Sequence, residues 1–226
     1  MFTLSSVVPW GRSFDEYRRM FALTEADLAG RILGCGDGPA SFNADLTRRG
    51  GRIVSCDPLY QFDAAQIRQR IDDTSAEVLA QARQNAHEFV WDDAIPDVEA
   101  LGRMRMAAMT LFLDDYEQGR REGRYLDAEL PALPFPACTF DLALCSHFLF
   151  LYSTHHDVAF HLYAMEELCR VAKEVRVFPL LALGGQPSPH VAPVTTDLED
   201  RGFTVTIERV PYEFQRGGNE MMRVRV

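Results

Sequence analysis

The stretch Arg31 to Asp57 leaves a chain of this kind the fewest choices. Ile32-Leu33 open a short apolar strand, and Gly34, Gly36 and Gly38 then stand at alternate positions, where a side chain would keep backbone from approaching a ligand. Ala40 to Arg49 predicts a helix stopped by Gly50-Gly51, and Arg52-Ile53-Val54-Ser55-Cys56 predicts a second buried strand ending in Asp57. One βαβ unit thus carries both a glycine turn and an acid. Asp57, with Pro58 biasing its backbone toward the extended form, is suited to accept hydrogen bonds from two vicinal hydroxyls of a ribose.

The 226 residues suffice for one α/β domain over 1–226, with an inserted helical segment over 61–123. A net charge of −10 and the lack of a Lys/Arg cluster argue against a nucleic-acid partner, because phosphate backbones are held by clustered cations. The five cysteines are odd in number and show no C-x-x-C spacing, which reads as reduced thiols in apolar surroundings. Met1 to Trp10 lacks a basic segment followed by a long apolar one, and Leu142 to Tyr152 is too short to span a bilayer, so a soluble, cytoplasmic protein is expected. Nothing in the composition bears on oligomeric state.

Along the chain, Ser13-x-x-Glu16 and Thr24-x-x-Asp27 have capping-box spacing and predict helices over Phe14–Ala22 and Glu25–Ala29, with Phe14, Tyr17 and Phe21 inward. Arg12 or Tyr17 could instead form part of a cover over a ligand, where an arginine can pair with a carboxylate. Residues 61–123 read as helices broken near Pro96, with apolar positions Ile67, Ile71, Val78 and Leu79, then Leu101, Met104, Ala108, Leu111 and Leu113. A cap that selects substrate and an enlarged crossover with ordinary packing both fit that pattern. A short strand over Arg124–Glu129, a proline-rich loop, a buried strand from Phe140 into Ser146, a helix over His155–Ala172 and a strand over Glu174–Phe178 follow. A helix over Val191–Arg201 and an antiparallel strand pair, Phe203–Val210 and Met221–Val226, complete a mainly parallel sheet covered on both faces.

A dinucleotide fingerprint needs a small residue where Pro39 stands, which weakens a nicotinamide cofactor. His155, His156 and His161 lack the i, i+4 spacing of a metal site, no metal is expected, and no G-x-S-x-G elbow is present.

Gly34-Cys35-Gly36-Asp37-Gly38, Asp57, Leu133-Pro134-Phe135-Pro136 and Phe140-Asp141-Leu142-Ala143-Leu144-Cys145-Ser146-His147 together resemble the class I S-adenosylmethionine-dependent methyltransferases. The likeness covers Arg31–Pro58 and Arg124–Phe178, and it implies a Rossmann-like, mainly parallel seven-stranded sheet with an antiparallel last strand and a helical insertion after strand two. It implies S-adenosyl-L-methionine as cofactor, with Gly34, Cys35, Gly36 and Gly38 beside its methionine part and ribose and Asp57-Pro58 at the ribose hydroxyls. Glu129 and Leu130 match the adenine side, and Cys145 matches a contact after strand four. The family's acid two residues before the first glycine is replaced here by Ile32, so Arg12 or Glu129 would supply missing contacts. His147 is the candidate base if the acceptor is a hydroxyl of a small molecule. Two other readings stay open, an NAD(P)-dependent oxidoreductase, which Pro39 disfavours, and a non-catalytic cofactor-binding protein of the same fold, which Ile32 permits.

Overall fold

The structure, a computed structural model, describes residues 9–226, so most of the Met1–Trp10 start lies outside the described residues. Two short helices, α1 (Phe14–Met20) and α2 (Glu25–Ala29), precede the first strand, each closed by the expected capping box. Then come β1 (Arg31–Cys35), α3 (Phe42–Arg48) and β2 (Arg52–Cys56), followed by a 3-10 turn (Pro58–Gln61) and two long helices, α4 (Ala64–Gln84) and α5 (Val98–Arg121), with a second 3-10 turn (Ala86–Glu88) between them. The chain continues through β3 (Tyr125–Leu126), β4 (Leu142–Ser146), α6 (Val158–Val171), β5 (Glu174–Phe178), α7 (Val191–Asp200), β6 (Thr204–Arg209) and β7 (Glu220–Arg225).

The seven strands pair in the order β3-β2-β1-β4-β5-β7-β6, and only β7 runs antiparallel to its neighbours. The order reverses between β1 and β4, and the crevice at the carboxyl ends of such strands is where open α/β sheets take ligands. Strand alternation splits the core in two. Leu33, Cys35, Ala143, Cys145, Val175 and Val177 pack with α6 and α7, while Ile32, Ile53, Leu142 and Leu144 pack with α1, α2 and α3. Both faces are therefore covered, as near-continuous apolar strands require.

Several boundaries differ from the sequence expectation, four of them for reasons visible in the hydrogen bonding. Helix α3 begins at Phe42 rather than Ala40, because the Ala40 N–H bonds the Asp37 carbonyl and the Ser41 N–H bonds the Arg12 carbonyl, holding these residues in the turn. Helix α6 begins at Val158 rather than His155, since Asp157 is its N-cap and accepts from the Phe160 N–H. The strand expected over Arg124–Glu129 shrinks to Tyr125–Leu126, the two residues that find partners in β2, while Glu129 bridges to Ala132. The strand expected from Phe140 forms from Leu142, and Phe140 keeps a lone bridge to Ala172.

Residues after β2 build a separate packing layer. Ile67 and Ile71 of α4 meet Met109, Phe112, Leu113 and Tyr116 of α5 and Tyr125 of β3, and Ala82, Val98 and Leu101 extend the seam. Among the described residues no helix is long and apolar enough to cross a membrane.

Candidate functional site

A cavity of about 920 Å³ opens over the carboxyl ends of β1, β2 and β4. Its wall takes in Arg12, Cys35, Gly36, Gly38, Asp57, Pro58, Glu129, Leu130 and His147, so nine of the eleven residues picked out in the sequence converge on one space. Gly34 and Cys145 do not line it. Cys145 shares the face of Ala143 and is sealed in the core beneath α6, and the next residue, Ser146, reaches the cavity instead.

Gly34 is screened by Asp37. The Asp37 side chain turns back over β1 so closely that any Cβ on Gly34 would overlap its carboxylate, and Gly34 is therefore a seat for Asp37. Gly36 is held at φ +67° with Phe148 against it, which no side chain would tolerate. Asp37 Oδ1 accepts from the Tyr17 hydroxyl at 2.8 Å and Oδ2 from Ser55 Oγ at 2.6 Å. Asn43 of α3 donates to Ser55 Oγ at 3.1 Å, and Arg124 holds Asn43 Oδ1 at 2.7 Å while pairing with Asp115 of α5. The Asp37 carboxylate thus has hydroxyl donors and no cation. Burial pushes its pKa up to about 6 despite the Ser55 and Tyr17 hydrogen bonds, and the Asp57 charge adds to the rise.

Asp57 is oriented by two backbone donors, Gly38 N–H to Oδ2 and Leu59 N–H to Oδ1, both 2.8 Å. With one backbone donor on each oxygen, both retain accepting capacity, as two hydroxyls would need. The Tyr60 hydroxyl donates to the Gly38 carbonyl at 2.8 Å and pins the glycine turn from the side of α4 and α5.

Arg12 lies in the link before α1. Its Nη1 donates to the Trp10 carbonyl at 3.3 Å, and its buried Nε has no partner. Beside it, fully buried Arg105 of α5 donates to both oxygens of Glu16, which also accepts from the Tyr212 hydroxyl at 2.9 Å. Both guanidiniums act on the Glu16 charge, but only Arg105 is hydrogen-bonded to it. Desolvation and the Arg105 charge lower the Arg12 pKa, and desolvation together with Arg12 and Arg105 lowers that of His147 well below the imidazole range. His147 sits at φ +52°, shares a hydrogen bond of 3.1 Å with Ser146 Oγ through Nδ1, and packs edge-on against Phe178. A neutral imidazole at the cavity wall can accept a hydrogen bond but is a weak base. Among the described residues no group of three His, Cys, Asp or Glu side chains is placed to hold a metal ion.

Asp37 and the Glu16–Arg105 pair are the site features that sequence reasoning passed over or read otherwise, while Tyr17, offered there both as core and as ligand cover, lines the cavity and is bonded to Asp37. Arg105 carried a signal, since it falls on the buried stripe Leu101-Arg105-Met109-Phe112 of α5, where an arginine needs an internal partner. Asp37 carried none beyond its place inside the glycine turn.

No family model matches the chain. It is 30% identical to an uncharacterized protein of Methanocaldococcus jannaschii, MJ0045, over 98% of this chain and 97% of that protein. Among solved structures it superposes on the methyltransferase domain of bacterial CtHen1 with a TM-score of 0.51 and 12% identity, covering 94% of this chain and 100% of that one. Magnesium protoporphyrin IX methyltransferase of Synechocystis, solved with bound S-adenosylmethionine, superposes with a TM-score of 0.45 and 12% identity over 94% and 90% of the two chains. The chain belongs to one family with the M. jannaschii protein, and its fold is that of the class I S-adenosylmethionine-dependent methyltransferases.

Proposed function

We propose that the protein binds S-adenosyl-L-methionine in this cavity and transfers its methyl group to a small-molecule acceptor. The observation that carries the reading is a pair of unmatched charges on one cavity wall that also holds the glycine turn and Asp57. The Asp37 carboxylate is buried without a cation, and the Arg12 Nε is buried without an acceptor. An amino-acid end group, ammonium beside carboxylate, is the complement of that pair. Asp37 would take the ammonium in place of the acid that Ile32 lacks. Because Gly34 lies two residues beyond Ile32 on β1, the Asp37 carboxylate sits on the same face of the sheet, one pleat along.

In this reading Asp57 accepts from the ribose hydroxyls, with Pro58 beside it, and Glu129 and Leu130 flank the adenine. Gly36 and Gly38 leave room for the cofactor's backbone contacts, and Cys35 lines the floor. When bound, the cofactor would supply an electrophilic sulfonium methyl for in-line attack by an acceptor lone pair, with S-adenosylhomocysteine as the leaving group and the acceptor's proton released to bulk water. The chain's own contribution is alignment and exclusion of water, with α4 and α5, the 61–123 segment, serving as the cap of a single domain. Neutral His147 accepts a hydrogen bond from the acceptor, which orients its lone pair. His147→Asn should lower kcat and leave cofactor affinity unchanged.

Isothermal titration with S-adenosylmethionine, S-adenosylhomocysteine and NAD is the test. Binding of both sulfur compounds, no binding of NAD, and weakening by about tenfold or more in each of Arg12→Leu and Asp57→Ala are expected. Absence of binding by either sulfur compound overturns the proposal.

A further inference from the structure

His147 is tied down on every side but one. Its backbone N–H donates to the Phe178 carbonyl at 2.7 Å, its ring packs edge-on against Phe178, and its Nδ1 shares a hydrogen bond of 3.1 Å with Ser146 Oγ. Nε2 has no hydrogen bond among the described residues, and the half-buried side chain lines the cavity. Which ring nitrogen carries the proton is therefore decided at Ser146. If Ser146 accepts, Nδ1 holds the hydrogen and Nε2 a lone pair; if Ser146 donates, the two are exchanged.

That choice is made at Asp37. An ionised carboxylate can only accept, so the Tyr17 hydroxyl, 2.8 Å from Asp37 Oδ1, spends its one hydrogen there. Burial and the Asp37 charge raise the Tyr17 pKa well above the usual phenol value, and a hydrogen bond with Ser146 opposes them. Toward Tyr17 the Ser146 hydroxyl is the donor, because the phenol has only its oxygen left to offer. With its single hydrogen committed, Ser146 can only accept from His147. Ser55 follows the same rule on the other carboxylate oxygen, donating to Oδ2 at 2.6 Å while accepting from Asn43 at 3.1 Å.

We propose that this directed chain, from His147 through Ser146 and Tyr17 to Asp37, fixes His147 as the Nδ1–H tautomer and makes Ser146 and Tyr17 its positioning residues. Nε2 is left with its lone pair, so a methyl acceptor meets it through an O–H or N–H. That consequence for the acceptor rests on the methyl-transfer reading of the cavity, whereas the direction of the chain does not. An ammonium seated on Asp37 would keep the carboxylate ionised and the direction intact, which links the cofactor's amino group to the imidazole that orients the acceptor.

Long-range proton–nitrogen NMR of the cofactor-free protein reads the tautomer, since a lone-pair nitrogen and an N–H nitrogen resonate far apart. Spectra are taken at about pH 8, well above the Asp37 value of about 6, and His147→Asn identifies the His147 signals among those of the six histidines. The parent should hold the Nδ1–H form over the other by about tenfold or more, the worth of one committed hydrogen bond. Ser146→Ala removes the acceptor, and Tyr17→Phe frees the Ser146 hydrogen to turn toward Nδ1. Each should raise the Nε2–H form to about half of the population or more. A Tyr17 that only filled space would leave the ratio as it is. A parent mainly in the Nε2–H form overturns the proposal, and so does an unchanged ratio in either folded variant; if Tyr17→Phe does not fold, the parent and Ser146→Ala decide. No step uses S-adenosylhomocysteine, so failure to bind it strikes the proposed function and leaves this result readable.

Discussion

Glu16 and Asp37 are both carboxylates sealed inside the protein, the first on α1 and the second bonded by the next residue of that helix, Tyr17, yet burial leaves them in opposite states. Glu16 is 1% exposed, and although desolvation alone would raise its pKa, the charge and hydrogen bonds of Arg105 bring it to about 2. Asp37 is 7% exposed, has only the hydroxyls of Tyr17 and Ser55, and is pushed up to about 6. The first has its charge matched in a closed pair, although Arg105 Nε and Nη2 are left without partners. The second is short of a counter-charge, and it stands on the cavity wall where a ligand can bring one. A buried carboxylate lacking a cation is thus a better pointer to a cationic ligand group than a buried ion pair, which reports on architecture.

Breaking the closed pair should have the largest effect. Glu16→Gln leaves Arg105 buried and uncompensated, for which about 3–5 kcal/mol of stability is lost, lowering Tm by about 10 °C for a chain of this size. The joint replacement of Glu16 by Leu and Arg105 by Met should lose much less, since both charges go together. Thermal melts of the three proteins decide this.

Next comes Asp37→Asn, whose signs are opposite for stability and binding. A rise from 3.8 to about 6 corresponds to about 3 kcal/mol by which the ionised carboxylate disfavours the cofactor-free fold near neutral pH. Without cofactor the variant should therefore melt no lower than the parent at pH 7, while its affinity for S-adenosylmethionine falls about tenfold to hundredfold. A variant that both melts lower and binds normally would place Asp37 with Glu16.

The pH dependence separates the two groups further. Asp37 has a raised pKa, so its stabilising contribution is full below 3.8 and is lost as pH rises through about 6. Glu16 has a lowered pKa, so its contribution is present above 4.5 and is lost only as pH falls toward about 2. Between pH 7 and 5, protonation of Asp37 should weaken S-adenosylhomocysteine binding by about tenfold, and Asp37→Asn should flatten that response. Calorimetry across the interval measures it.

The smallest effect is expected from Tyr17→Phe, which removes one neutral donor from Asp37 and nothing from Glu16. Loss of about 1 kcal/mol in cofactor affinity, with the pH midpoint of binding moved upward, is the expected outcome of a repeated titration.

The βαβ unit was readable because everything that makes it is local: the strand, the alternate glycines and the acid lie within 27 positions. The strand pair at the end was readable for the same reason, from Gly217-Gly218 between two apolar runs. Cys145 does not line the cavity because strand parity turns it toward Ala143 and the core. Glu16 was read correctly as a capping-box member, and it does accept from the Ser13 N–H at 2.9 Å, but Arg105 and Tyr212 come to it from distant segments that no local pattern announces. Asp37 was hidden for a related reason, since Tyr17 and Ser55 that define it lie on other elements.

The reach of Glu16 has a consequence for how the protein is made. Its partners lie 89 and 196 residues further along the chain, so the knot that joins α1, α5 and the segment after β6 is tied only after Tyr212 has been made. Contacts at such separations are slow to form because the intervening chain must be ordered first. A nascent chain emerging amino-terminal end first can complete the glycine turn early. The part of the cavity wall formed by Phe214, two residues beyond Tyr212, comes into being later still.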